Sequence, residues 1–114
     1  MNMRDIPQLL DDMLDSVLAI NQYTHGLTET AFRSNRMAQD AVIRRFEILG
    51  EAANQVPDYY RQQHPEIPWG FMAGMRNRLI HGYFLVDFDI LWRTIQLDIP
   101  PLETSLRLLR QQFP

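Results

Sequence analysis

Apolar residues along this chain recur at three- and four-residue steps, the period of a helix with one buried face. Near the start, Ile6, Leu9, Met13, Val17 and Ile20 form one such stripe. Asp5 stands where a cap belongs and Pro7 is tolerated in a first turn, so the pattern predicts a helix over residues 6–24, broken by Gly26. Thr28-Glu-Thr-Ala-Phe-Arg then opens a short helical piece. A second long helix is predicted over residues 36–56, with Val42, Phe46, Leu49, Ala53 and Val56 on its main apolar face and Pro57 ending it. Ala41, Ile48 and Ala52 make a weaker second face, which predicts contact on two sides.

Residues 58–68 read as a connector with one helical turn around residues 59–63. A third helix is predicted over residues 69–81, with Met72, Met75 and Leu79 inward and Gly82 placed to terminate it. The last stripe begins near Asp87 or Asp89 and runs through Phe88, Trp92, Ile95, Ile99, Leu102, Leu106, Leu109 and Phe113 without a slip. It crosses Pro100-Pro101, where each proline removes a backbone donor at a cost of about 3 kcal/mol in an ideal helix interior. Because the apolar register survives the prolines, a long helix kinked at Pro100-Pro101 is expected, not a chain reversal. No stretch alternates like a half-buried strand for more than a few residues, and there is no internal repeat or linker. The expectation is an all-α fold: one domain over residues 1–114, built as a bundle of about four main helices.

Composition narrows the function classes. With 114 residues, 46% of them apolar, the chain is long enough to bury a core and too apolar for a disordered tail. The absence of cysteine excludes a disulfide-stapled module and a thiolate zinc site. A formal charge of −3 argues against broad, non-specific binding to nucleic acid, while leaving room for a local basic site. All eleven basic residues are arginine, whose planar fork pairs two-point with phosphate or carboxylate. No apolar run approaches the length of a membrane span and the first residues are too acidic for a targeting peptide, so a cytoplasmic setting is expected.

Common catalytic signatures are missing: no phosphate-binding loop, no dinucleotide-binding glycine pattern, no HExxH and no GxSxG. Of the three histidines, His25 beside Gly26 and His64 before Pro65 read as surface residues without a role. His81 differs by its company, Met75-Arg76-Asn77-Arg78-Leu79-Ile80-His81-Gly82-Tyr83. On a continuous helix Asn77 and His81 would share a face, and Arg78 would stand one turn before His81. Arg76 would lie about 140° round the axis from His81, a gap that a long side chain, a local distortion or a second subunit must close. Chemically the set suits RNA cleavage without a metal. An imidazole can move a proton at a ribose 2′-hydroxyl or a leaving 5′-oxygen, a guanidinium can hold the phosphate, and an asparagine can fix the histidine tautomer. On spacing alone, an arginine-rich helix end capped by a histidine accounts for the same residues. Glu47 and Glu51, four apart and continued by Asn54, supply too few hard ligands for a metal. They are read as partners for arginines, either Arg44 locally or Arg76 and Arg78 across the bundle.

The stretch Arg76-Asn77-Arg78-Leu79-Ile80-His81-Gly82-Tyr83 resembles the R-x4-H-x-Y signature of HepT-like toxins in the HEPN superfamily. Phe46-Glu47-Ile48-Leu49-Gly50-Glu51-Ala52-Ala53, His64-Pro65-Glu66-Ile67-Pro68-Trp69 and Leu97-Asp98-Ile99-Pro100 resemble that family's other blocks, in the same order. The doubled proline departs from the more usual single one, away from the site. The resemblance implies a homodimeric HEPN-type bundle with the motif lining a cleft between subunits. It implies a metal-independent ribonuclease without a cofactor, with Arg76 and His81 catalytic and Asn77 supporting; Arg78 beside them, and Glu47 and Glu51 as the carboxylates that orient the arginines, are read from their positions as further supporting residues. It further implies the toxin half of a type VII-like toxin–antitoxin pair, whose partner is an MntA-like minimal nucleotidyltransferase that transfers AMP to Tyr83. Bulk and negative charge there would block the site and repel RNA. The alternative reading is a non-catalytic helical partner of such a nucleotidyltransferase.

Overall fold

The computed structural model describes residues 5–81 and 85–114, without the side chains of Arg76, Ile80, His81 and Leu85. Helix α1 (Ile6–Thr24) starts from a reciprocal cap. The Gln8 amide donates to Asp5 Oδ1 at 3.0 Å, and the Asp5 amide donates to Gln8 Oε1 at 3.2 Å. The helix stops before Gly26, whose φ of 76° lies in the left-handed region that a side chain disfavours. Helix α2 (Glu29–Arg33) is capped by Thr28, and α3 (Arg36–Gln55) by Asn35. Buried Gln39 donates to the carbonyls of Phe32 and Arg33, both at 2.8 Å, which ties α2 to α3 by satisfying a helix end.

Helix α3 packs along α1 on one side and, on the other, against α5 (Trp69–Ala73) and α6 (Met75–Leu79). Those two sides match its two apolar faces. The connector holds α4 (Asp58–Gln63). Beyond α6, strands β1 (Ile80–His81) and β2 (Leu85–Val86) pair antiparallel, His81 opposite Leu85. A two-residue pair leaves the architecture all-α. It does correct the third helix: residues 69–81 are not one rod but two short helices divided at Gly74, and helical geometry ends at Leu79. The Leu79 carbonyl accepts the Asp87 amide at 2.8 Å, so the strand pair takes over from the helical ladder. Gly82, expected as the terminator, lies outside the described residues.

The final rod comprises α7 (Phe88–Arg93), a π-turn over Thr94–Asp98 and α8 (Ile99–Arg110). The chain passes through Pro100-Pro101 without reversing, as the unbroken stripe predicted. The accommodation falls one turn earlier, where the Ile99 amide reaches back five residues to the Thr94 carbonyl. The prolines themselves fall in the first turn of α8, where a missing amide is best tolerated. Polar clasps then fix α8 antiparallel on α1. Asn21 donates to Glu103 at 2.8 Å near one end, and Arg110 Nε donates to Asp11 at 2.7 Å near the other.

The connector is a tight aromatic lock. Trp69 Nε1 donates to the His64 carbonyl at 2.9 Å, and the Tyr60 ring lies against His64, Trp69 and Phe113. His64 is therefore not the idle surface histidine expected: its side chain is 18% exposed and Nδ1 is 3.0 Å from Glu66 Oε1. The Glu66 carboxyl is held below its usual range, first by the backbone amide of Glu66 and next by His64. Tyr60 is pushed above 10, chiefly by burial and then by the charge of Glu66. Its buried hydroxyl has no hydrogen-bond partner among the described residues.

One glycine is required by helix packing. A Cβ on Gly50 would stand 2.7 Å from the Met72 carbonyl oxygen, so α3 and α5 meet backbone to backbone. Gly50→Ala should therefore cost about 1–3 kcal/mol by overpacking. Gly70→Ala, where a Cβ meets nothing within 4 Å, should be neutral or stabilising. Urea unfolding of the two variants checks the contrast. Tyr60→Phe, which deletes the unpartnered hydroxyl, should keep or gain up to about 1 kcal/mol at neutral pH. Because the fold favours the neutral phenol, that contribution is complete below pH 10 and lost as pH rises through the raised value. Tyr60→Phe should remove that alkaline loss, which thermal melts from pH 8 to 11 would reveal.

Candidate active site

The motif segment is positioned from behind by the core. Met72, Met75 and Leu79 are buried, each at 2% exposure or less, and hold α5 and α6 against α3. At Gly74 the chain shifts from one short helix to the next. The Gly74 amide still donates to the Gly70 carbonyl at 3.0 Å, while its own carbonyl accepts from the amides of Asn77 at 3.1 Å and Arg78 at 3.3 Å. With Met75 and Leu79 inward, Asn77 and Arg78 fall on the exposed side of α6. The next residues, Ile80 and His81, are extended.

This geometry changes the relation between the two principal candidates. The 140° separation of Arg76 and His81 holds only for an unbroken helix, and His81 stands on a strand instead. Asn77 and His81 therefore do not share a helical face; the backbone turns between them. Arg76 remains on α6, within one turn of the point where helix gives way to strand. The side chains of Arg76 and His81, and all of Tyr83, lie outside the described residues. Asp87 closes the segment: its amide ties back to Leu79, and its carboxylate caps α7 by accepting from the Ile90 amide at 3.0 Å.

Glu47 and Glu51 line a cleft of about 220 Å³ between α3 and α5, with Asn54 at one end and Gly50, Met72 and Ala73 as floor. Gly50 lies where the two helices close to backbone distance. Glu47 pairs with Arg44 at 3.4 Å, the local partner that spacing suggested. Glu51 accepts from Gln55 at 3.3 Å. Arg78 does not reach across to either glutamate. Its guanidinium lies over the Phe71 ring, 4.5 Å from the centroid. Spacing alone did not single out Phe71 as a partner of Arg78. It precedes Arg78 by seven residues and stands on α5, so the contact crosses the division at Gly74. Among the described residues no three His, Asp or Glu side chains come together as a possible metal site. No described helix is long and apolar enough to cross a membrane.

Residues 13–109 match the family described as "Ribonuclease HepT-like". A protein of Thermococcus cleftensis named "Probable ribonuclease HepT" is 41% identical over 102 residues, spanning 90% of this chain and 93% of its own length. A Methanocaldococcus jannaschii protein named "Putative RNase MJ1380" is 35% identical over 109 residues, spanning 96% of this chain and 100% of its own. No solved structure matches this chain at comparable significance. With α5 and α6 packed against α3 and a family match over residues 13–109, the chain belongs to the ribonuclease HepT-like family of HEPN proteins.

Proposed function

We propose that this protein is a metal-independent endoribonuclease in which Arg76 and His81 act on one phosphodiester. The observation that carries the reading is the reversal at the end of α6. Within six residues the backbone goes from helix to paired strand, with the Leu79 carbonyl tied to the Asp87 amide, so the segment holding both residues is short and braced. Support also comes from the names of the relatives, which are those of ribonucleases.

In this mechanism His81 takes the proton of a ribose 2′-hydroxyl. The 2′-oxygen attacks phosphorus, and the P–O5′ bond breaks as the 5′-oxygen gains a proton from an imidazolium. In a homodimer a second copy of His81 supplies that acid. The products are a 2′,3′-cyclic phosphate and a 5′-hydroxyl. Arg76 pairs with the non-bridging oxygens and opposes the charge that builds on them. Asn77, exposed between Arg76 and Arg78, orients His81 or the RNA backbone. Glu47 and Glu51 support from the α3 side of the cleft.

Regulation in this reading falls on Tyr83. A minimal nucleotidyltransferase partner joins the phenol oxygen to the α-phosphorus of ATP, releasing pyrophosphate and the phenolic proton. The added phosphate charge and adenosine bulk, two residues from His81, repel an RNA phosphate and fill its place. The protein is then the toxin of a toxin–antitoxin pair.

Purified protein incubated with total RNA in EDTA should yield fragments ending in cyclic phosphate. Arg76→Ala and His81→Ala should each lower the rate by at least about 100-fold. Identical RNA patterns from wild type and both variants would remove the catalytic assignment, and binding to the nucleotidyltransferase without cleavage would favour the non-catalytic reading. Co-expression with that partner should raise the intact mass by whole adenylate units, and Tyr83→Phe should abolish the increase. Growth arrest on induction of the toxin alone, absent for His81→Ala, checks the same assignment in cells.

A further inference from the structure

The arginines of α2, α3, α4 and α8 each reach a carboxylate: Arg33 to Glu29, Arg45 to Asp15, Arg61 to Asp58 and Arg110 to Asp11 are examples. Among the described residues Arg78 and Arg93 reach none, and of these two only Arg78 lies over an aromatic ring. An exposed guanidinium with no carboxylate keeps its full attraction for an anion. Backed by Phe71 it also loses the freedom of a solvated side chain, so its flat outer face is presented in one place. That outer face stands on α6, two residues from Arg76 and one from exposed Asn77.

We propose that the Phe71–Arg78 pair is a stacking platform for one base of the RNA, next to the phosphate that Arg76 holds; this rests on the ribonuclease reading above. Single-stranded RNA is gripped by stacking unpaired bases on aromatic rings or on arginine planes. Here the order is ring, guanidinium, base. The same guanidinium edge donates to the adjoining phosphate. The groove on the far side of Phe71, about 380 Å³, is walled by Pro65, Pro68, Pro101 and Leu102 but also carries Glu66 and Asp98. Those carboxylates repel a phosphate chain, so the strand crosses the exposed face of α6 and does not enter that groove. The platform tolerates any base, since every base has a flat face.

The test uses the full chain carrying His81→Ala, so that RNA is bound and not cut. Fluorescence anisotropy is measured with labelled twelve-nucleotide RNAs in which a single abasic position is walked along the strand. One position should weaken binding about tenfold, within the range of one base stack. In the Arg78→Ala protein that position should no longer matter. Arg78→Lys, which keeps the charge and loses the plane, should behave like Arg78→Ala toward the abasic series. If no abasic position depends on Arg78 while the His81-intact protein cleaves RNA, the platform is refuted and the ribonuclease reading stands. If the His81-intact protein neither binds nor cleaves RNA, both fall together.

Discussion

The backbone of α3 approaches that of α5 so closely at Gly50 that no side chain fits between them, and the position of the motif segment follows from that approach. Helices packed through ordinary side chains stand 8–10 Å apart. Removing the Cβ lets Met72 seat fully in the core, and with it Met75 and Leu79 one and two turns later. The exposed side of α6 is then determined: whatever turns inward at 75 and 79 leaves 77 and 78 outward. Glu47 and Glu51 line a cleft beside that approach, with Gly50 and Met72 among its walls.

Rigid support reaches the segment from both ends. Upstream, the aromatic lock of Tyr60, His64 and Trp69 fixes where α5 begins, through an indole hydrogen bond and tilted and edge-on ring contacts instead of a long helix. Downstream, Asp87 serves two elements at once, closing the strand pair with its amide and capping α7 with its carboxylate. Chemistry on a phosphodiester requires donors held at fixed distances, and a segment anchored on both sides loses little order when substrate arrives. Of the motif's described side chains, Asn77 and Arg78 thus stand exposed on a short helix that is braced from both sides.

The two irregularities in the helical pattern have different causes. In the last rod, Pro100 and Pro101 delete two donors, and the ladder responds with a π-turn one turn earlier while the apolar stripe stays in register. At the end of α6 the helix stops three residues short of Gly82, the terminator the sequence offers. The helix stops because Leu79 finds its partner in Asp87, eight residues ahead, and Ile80 pairs with Val86. A long-range bond outcompetes the local ladder there, and it moves His81 from a helix face to a strand.

By itself the sequence determined the helices whose boundaries are written in local chemistry: Asp5 and Gln8 capping α1, Gly26 ending it, Pro57 ending α3 and the even stripe through α8. It also determined which residues carry the family signature, because that signature is a spacing. Only the tertiary structure decided that residues 69–81 divide into two helices and a strand, that His64 is engaged by Tyr60 and Glu66, and that Arg78 rests on Phe71 and not on a glutamate. The physical reason is range. Caps, prolines and apolar periodicity act within a few residues along the chain, whereas these arrangements depend on partners brought near by packing, whose distance cannot be read from spacing.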